Sequence, residues 1–161
     1  MKVLVTIGSM VEKKFTRLFR ILDELCDEGI LDGTQVTAQV GFDNYQSTRY
    51  KCFDMIADED FKRLISESDL VIAHAGTGTV ISSIKQGKKV IIVPRMAKYD
   101  EHYDDHQLEL AELFAKQGYV LQARDKDELK KCILELDKFM PVPFVSNNKR
   151  MNELVIDFIE K

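Results

Sequence analysis

The chain has 161 residues, of which 45% are hydrophobic and 31% are charged, and its formal net charge is −4. These values are typical of one globular domain and exclude a disordered or fibrous chain. The acidic balance disfavours nucleic acid as a partner, because phosphate backbones are bound by basic surfaces.

Two further features predict a cytoplasmic protein. Cys26, Cys52 and Cys132 stand far apart without CxxC spacing, which favours reduced thiols over a disulfide framework. The N-terminal apolar run is too short for a signal peptide, and no segment approaches the roughly 20 apolar residues of a transmembrane helix. We therefore expect any membrane contact to be peripheral or made through a partner.

Short aliphatic runs alternate with amphipathic stretches along the chain, a pattern typical of βαβ units and a parallel sheet. The sequence predicts a single Rossmann-like, three-layer α/β domain over residues 1–161 with a mostly parallel sheet. The expected strands lie at 3–7, 35–40, 52–53, 70–73, 90–94 and 119–121. The expected helices lie at about 15–28, 58–65, 77–87, 102–116, 125–136 and 145–160, the last packing back on the domain.

The most informative turn is Gly76-Thr77-Gly78-Thr79, which joins a buried strand to a helix. In open α/β sheets, ligands bind at the carboxyl ends of the strands, and a helix N-terminus offers N–H groups to a phosphate. The turn lacks the GxGxxG spacing and the Walker lysine, which disfavours a dinucleotide fold and a P-loop. The alternative is a tight strand-to-helix turn with a threonine cap.

Two other groups end predicted strands. Gly8-Ser9 follows the first strand as a second small-residue turn, and His74 ends the strand before the glycine turn. For both, a structural role is the alternative to ligand contact.

The loop that begins at Arg95 ends in a dense polar segment. His102 and His106 are spaced i, i+4 with acids between them, but no further ligands are implied, so we expect no metal site. We instead expect His106 and Gln107 to face a ligand. Asp58-Glu59-Asp60 matches a DxD pattern, yet acids in the first turn of a helix are explained by capping and the helix dipole.

Taken in order, these segments resemble the C-terminal, nucleotide-sugar-binding half of inverting GT-B glycosyltransferases, of the family 28 type that includes the bacterial peptidoglycan GlcNAc transferase. The chain is more similar still to the small catalytic subunits of two-component enzymes. These include the dolichol-linked UDP-GlcNAc transferase and capsular or exopolysaccharide transferases, and the approach to Asp-His-Gln is closest to the capsular branch. The segments that carry the resemblance are 3–8, 74–79, 87–95, 105–111 and Gly118.

The resemblance implies a nucleotide-sugar site with the uracil near residues 53–56. The relatives' ribose-binding glutamate is replaced here by Ser82, which lacks charge and reach. The residues expected to bind the nucleotide sugar are Gly8, Ser9, Gly76, Thr77, Gly78, Thr79, Ser82, Arg95, His102, His106 and Gln107.

The implied activity is inverting transfer of a hexosyl or N-acetylhexosaminyl group from a UDP-sugar to a lipid-linked glycan, in polysaccharide biosynthesis. The helix N-terminus would stabilise the leaving UDP, so no metal or other cofactor is expected. His74 and His106 are the candidate general bases, although the base could belong to the partner. A membrane-anchored, acceptor-binding subunit would recruit the chain to the inner face of the membrane, and a homo-oligomer is left open. The alternative function is a nucleotide-binding accessory subunit without transferase activity.

Overall fold

The computed structural model describes residues 1–144, 153 and 155–157, which contain a six-stranded, all-parallel sheet. The strands are β1 (Val3–Thr6), β2 (Val36–Gln39), β3 (Lys51–Phe53), β4 (Leu70–Ala73), β5 (Lys89–Ile92) and β6 (Leu121–Gln122). The α-helices are α1 (Thr16–Asp27), α2 (Asp58–Glu67), α3 (Thr77–Lys85), α4 (His106–Lys116) and α5 (Lys126–Leu134). Short 3-10 helices lie at Gly33–Gln35, Gly41–Asp43, Ala97–Tyr99 and Leu136–Lys138.

The strand order is β3-β2-β1-β4-β5-β6. From β1 the chain adds β2 and β3 toward one edge of the sheet, and from β4 it adds β5 and β6 toward the other edge. β1 and β4 are neighbours, with Thr6 paired in register with Ala73. In this topology a crevice opens between the carboxyl ends of the two central strands, which is where open α/β sheets bind their ligands.

Alternate residues of each strand enter two separate cores, one on each face of the sheet. Val3 and Val5 join the side chains of α1 and α5, whereas Leu4 joins those of α2, α3 and α4. This period-two division of buried strands, with helices over both faces, produces the three layers. The predicted α/β class with a parallel sheet is confirmed.

Two element boundaries differ from the prediction. α4 begins at His106 rather than at 102, because the carboxylates just before it bind N–H groups of the same loop and of the first helical residue. The Asp104 carboxylate accepts from the His106 N–H at 3.0 Å, and the Asp105 carboxylate accepts from the Ala97 N–H at 3.0 Å. The last strand is Leu121–Gln122 instead of 119–121, since the Tyr119 N–H still bonds to the Phe114 carbonyl at the end of α4.

Most of the predicted helix at 145–160 lies outside the described residues. Residues 153 and 155–157 are helical, and Val155 packs against the core beneath α3 and α4. Within the described part of the chain, no helix has the length and apolarity needed to cross a membrane.

Candidate functional site

The crevice between β1 and β4 is floored by two glycine turns and one imidazole. Gly8 follows β1 with φ +73°, a left-handed conformation that favours glycine, and Gly76 is the N-cap residue of α3. A Cβ atom on Gly8 would lie 2.6 Å from His74 Cε1, and one on Gly76 would lie 2.3 Å from His74 Nε2. The structure therefore brings Gly8, His74 and Gly76 together, as expected for one site.

His74 is packed too tightly to behave as an ordinary histidine. Its Nδ1 atom is buried without a hydrogen-bond partner among the described residues. Burial, assisted by the positive charge of Arg95, lowers the pKa of His74 from 6.5 to about 4. The ring is consequently neutral at physiological pH and a weak proton acceptor, which makes it a poorer candidate for the general base than the sequence suggested.

The N-terminus of α3 faces open space. Its first internal hydrogen bond runs from the Val80 N–H to the Gly76 carbonyl, so the N–H groups of Thr77, Gly78 and Thr79 have no partner within the helix. A Cβ atom on Gly78 would meet no other atom within 4 Å. Unpaired donors and the positive end of a helix dipole at an open position form a site for an anion such as a phosphate.

The two serines on α3 have different surroundings. Ser83 is buried and its hydroxyl donates to the Thr79 carbonyl at 2.8 Å. Ser82 is half-exposed, with Gln86 Nε2 at 3.5 Å from its hydroxyl oxygen. Of the pair, Ser82 is the residue with a hydroxyl accessible to a ligand.

Gln107 joins the second loop to the crevice. Its Oε1 atom accepts from the Arg95 N–H at 3.0 Å and from the Ala75 N–H at 3.4 Å, which ties the ends of β4 and β5 together. Its Nε2 amide group has no hydrogen-bond partner among the described residues. The side chain is thus held by its oxygen and can donate to a ligand through its nitrogen.

Arg95 does not have the position expected of a direct ligand. Its side chain is completely buried, and its guanidinium donates to the carbonyl oxygens of Ile7, Lys13 and Glu101 at 3.0, 3.0 and 3.3 Å. The expectation of a direct donor contact is corrected to a structural one, because backbone acceptors surround the side chain behind the crevice.

His102 and His106 are connected through one carboxylate. Asp104 lies 3.1 Å from His102 Nδ1 and 3.6 Å from His106 Nε2, and Glu109 lies 3.4 Å from His106 Nδ1. The His102 side chain is 18% exposed and that of His106 is 55% exposed. Solvent access and neighbouring carboxylates make His106 the better placed of the two to accept a proton.

The described residues contain no group of three or more side chains placed to hold a metal ion. Asp58 and Asp60 of the DxD pattern are on the first turn of α2, where they pair with Lys62 and Arg63 at 2.6 and 2.9 Å. These i, i+4 and i, i+3 pairs and the helix dipole account for both acids.

A second arginine, Arg17, lies behind the site, and no pattern in the sequence predicts it there. Arg17 on α1 binds Glu101 through two hydrogen bonds of 2.7 and 2.9 Å, and it donates to the Pro94 carbonyl at 3.2 Å. Glu101 is 3% exposed, and its carboxylate also accepts from the Met96 N–H. Arg17 lies on a helix far away in sequence, so residue spacing alone could not associate it with the loop.

Fold and site together define a class: a Rossmann-like α/β domain with a helix N-terminus beside the carboxyl ends of its two central strands. The chain belongs to the glycosyltransferase family 28 C-terminal domain, whose family model matches residues 2–158. The predicted relation to the C-terminal half of GT-B glycosyltransferases is confirmed.

Among known relatives, the UDP-N-acetylglucosamine transferase subunit ALG13 of Debaryomyces hansenii is 31% identical over 110 residues. That alignment covers 66% of this chain and 51% of the relative, so the chain matches about half of its length.

Solved structures share the fold at lower identity. An NMR solution structure of ALG13 matches with a TM-score of 0.64 and 20% identity, covering 99% of this chain and 97% of that one. The Streptomyces glycosyltransferase SsfS6, solved with thymidine diphosphate, matches with a TM-score of 0.54 and 19% identity, covering 84% of this chain and 32% of that one. At these identities the likeness shows the fold alone.

Proposed function

We propose that this chain is the donor-binding, catalytic subunit of an inverting glycosyltransferase. It takes a hexosyl or N-acetylhexosaminyl group from a UDP-sugar and transfers it to a lipid-linked glycan in the biosynthesis of a polysaccharide such as a capsule or exopolysaccharide. The observation that carries this proposal is the open N-terminus of α3, where Thr77, Gly78 and Thr79 present unpaired N–H groups beside the crevice.

The donor would be held by both sides of the crevice. The diphosphate lies over the N–H groups of α3, with the Gly8-Ser9 turn on the opposite side. The Gln107 Nε2 group donates to a hydroxyl of the sugar, and Ser82 is the residue available to the ribose. The exposed Met55 in the segment after β3 offers apolar contact to the uracil.

The chemistry of the site is compatible with transfer that needs no metal ion. As the glycosidic bond breaks, charge develops on the leaving UDP, and fixed N–H dipoles stabilise such charge. His106, with Asp104 and Glu109 beside it, is our candidate for the base that removes a proton from the acceptor hydroxyl. His74 supports the floor of the crevice.

We assign no acceptor site to the part of the domain that the structure describes. We infer a membrane-anchored partner subunit that binds the lipid-linked acceptor and recruits this chain to the inner face of the membrane. The relative from Debaryomyces hansenii is named as a transferase subunit, which supports assembly with further protein. A homo-oligomer is the alternative assembly, and the molecular mass of the purified chain in solution tests for it.

Calorimetric titration with UDP and UDP-sugars, with and without EDTA, tests donor binding. We expect binding that EDTA leaves unchanged, and a requirement for a divalent ion would contradict the metal-independent mechanism. Transfer to a polyprenyl-linked sugar, assayed with and without the partner, then separates an enzyme from an accessory subunit. Donor binding without transfer in the complete complex would favour the accessory function.

A further inference from the structure

The guanidinium of Arg95 is an unusual group to bury behind a ligand site. It follows β5, and it is the largest fully buried side chain among the described residues. Its hydrogen bonds go to main-chain carbonyl oxygens only, those of Ile7, Lys13 and Glu101, while its Nε atom has no partner. Arginine remains protonated in proteins, so a full positive charge is held there by dipoles.

The carboxylates in this region are bound to other groups. Glu101 forms its two-bond pair with Arg17, and Asp43 accepts from the Phe15 N–H at 2.7 Å and the Thr16 hydroxyl. The two guanidinium groups lie against the same aromatic ring, that of Phe15, with Arg95 at 5.0 Å and Arg17 at 5.4 Å from its centre. The Phe15 ring thus packs against the Arg95 guanidinium, and the three carbonyl oxygens determine the orientation of the guanidinium plane.

The three carbonyls belong to the two loops that border the crevice. Ile7 and Lys13 lie in the β1–α1 loop (7–15), and Glu101 lies in the β5–α4 loop (93–105). A carbonyl oxygen directed at an anion repels it. Bonding to Arg95 turns these three oxygens toward the protein interior, and it also joins the loops to each other.

We propose that Arg95 is a positioning residue for the diphosphate of the donor nucleotide, acting through the β1–α1 and β5–α4 loops. It keeps the negative ends of their peptide dipoles away from the anion and holds both loops at one separation. This inference rests on the proposed function, because it assumes that the crevice binds a nucleoside diphosphate.

The test compares two probes, UDP and uridine, titrated by NMR into the purified full chain. In Arg95→Lys the charge is kept but the planar fork that reaches three carbonyls is lost, so we expect UDP affinity to fall by about tenfold or more. Uridine affinity should stay within about twofold, since uridine lacks phosphates. Arg95→Met should show a larger loss of UDP affinity. Arg49→Met, which removes an exposed arginine paired with Asp27, is the matched control and should change neither affinity.

The outcomes separate the two proposals. Wild-type protein that binds neither probe would overturn the proposed function and this inference with it. If the wild type binds UDP and Arg95→Lys binds it equally well, or loses UDP and uridine affinity alike, the inference alone is wrong.

A measurement on the wild-type protein covers the case in which the variants do not fold. UDP, but not uridine, should slow amide hydrogen exchange in both loops, 7–15 and 93–105, over the same concentration range. Slowing in one loop only would show that Arg95 does not couple them, and would overturn the proposal.

Discussion

His74 determines which residues the floor of the crevice tolerates. Its ring occupies the space that a Cβ atom would need on Gly8 and on Gly76, but the two glycines differ in backbone conformation. Gly76 has φ −75°, which any residue adopts, whereas Gly8 has φ +73°. For the stability of the fold, the conflict that the structure shows at Gly76 is steric and involves the imidazole, whereas at Gly8 backbone strain adds to it.

A double-mutant cycle tests this distinction. Gly76→Ala should lower the free energy of unfolding by about 1–3 kcal/mol in the wild type through overpacking, and by close to nothing in a His74→Ala background. Gly8→Ala should remain destabilising in both backgrounds because its backbone strain persists. Urea denaturation measures all the values, and equal costs of Gly76→Ala in the two backgrounds would contradict the packing argument.

The lowered pKa of His74 has a consequence for stability. The unfolded chain binds a proton near pH 6.5 but the folded protein only near pH 4. The stabilising contribution is complete above pH 6.5 and is lost as the pH falls toward 4, by up to about 1.4 kcal/mol per pH unit. His74→Gln should be less sensitive to pH between 6.5 and 4.5 in urea denaturation, and a parallel pH dependence in both proteins would refute the assignment.

The Gln107 oxygen accepts from two backbone N–H groups, and we propose that its nitrogen binds the donor; two substitutions separate these roles. Gln107→Glu keeps an acceptor for the Ala75 and Arg95 N–H groups on the first turn of α4, where a negative charge is favourable. It should melt near the wild-type temperature and yet bind UDP-sugars weakly. Gln107→Ala should lose binding and also about 1–3 kcal/mol of stability, since two N–H groups lose their acceptor. Full UDP-sugar affinity in Gln107→Glu would exclude the donor contact.

Sequence periodicity is sufficient to predict the strands and helices wherever the periodicity is strong. All six strands and five helices were predicted within the described residues, including the helix opened by Asp125, whose carboxylate accepts from the Glu128 N–H. The start of α4 is not predicted, because residues 101–105 are polar and compatible with a helix, and the contacts that divert them, to Arg17, Ala97 and His106, form only in the folded loop. Buried Arg95 was missed for the same reason: its acceptors lie on strands and loops brought together by the sheet.

The first turn of α3 offers a clean test of the anion site. Gly78→Ala adds a methyl group in open space and should raise helix stability by about 0.5–1 kcal/mol. Gly78→Asp is also tolerated by the fold, because acids stabilise the first turn of a helix, but it places a negative charge where we propose that the diphosphate binds. We expect thermal unfolding near or above that of the wild type for both variants.

UDP titration of the same pair supplies the functional readout. Affinity should fall by about tenfold or more in Gly78→Asp, from charge repulsion in a partly desolvated site. Gly78→Ala is the control for added volume. Undiminished UDP binding by a folded Gly78→Asp protein would remove the diphosphate from this helix.

The sequence alone predicts the fold class and the edge of the sheet at which the candidate site lies. The alternation of aliphatic runs and amphipathic helices indicates parallel strands, and parallel strands place Gly8 and Gly76 at one edge. The sequence does not predict how the turns at Gly8 and Gly76 contact each other, because their contact through His74 depends on the Thr6–Ala73 register. The lack of a hydrogen-bond partner for His74 Nδ1 among the described residues likewise depends on tertiary packing, which the sequence does not show.

The adjacency of β1 and β4 also bears on the order in which the molecule assembles. Val3 pairs with Leu70, so the central pairing joins segments separated by most of a βαβαβ unit, and contacts of such length form late in folding. The crevice exists only once that pairing is complete. UDP should therefore slow unfolding in stopped-flow denaturant jumps while leaving the refolding rate unchanged. Faster refolding in the presence of UDP would contradict this prediction, because it would mean that a partly formed sheet already binds the nucleotide.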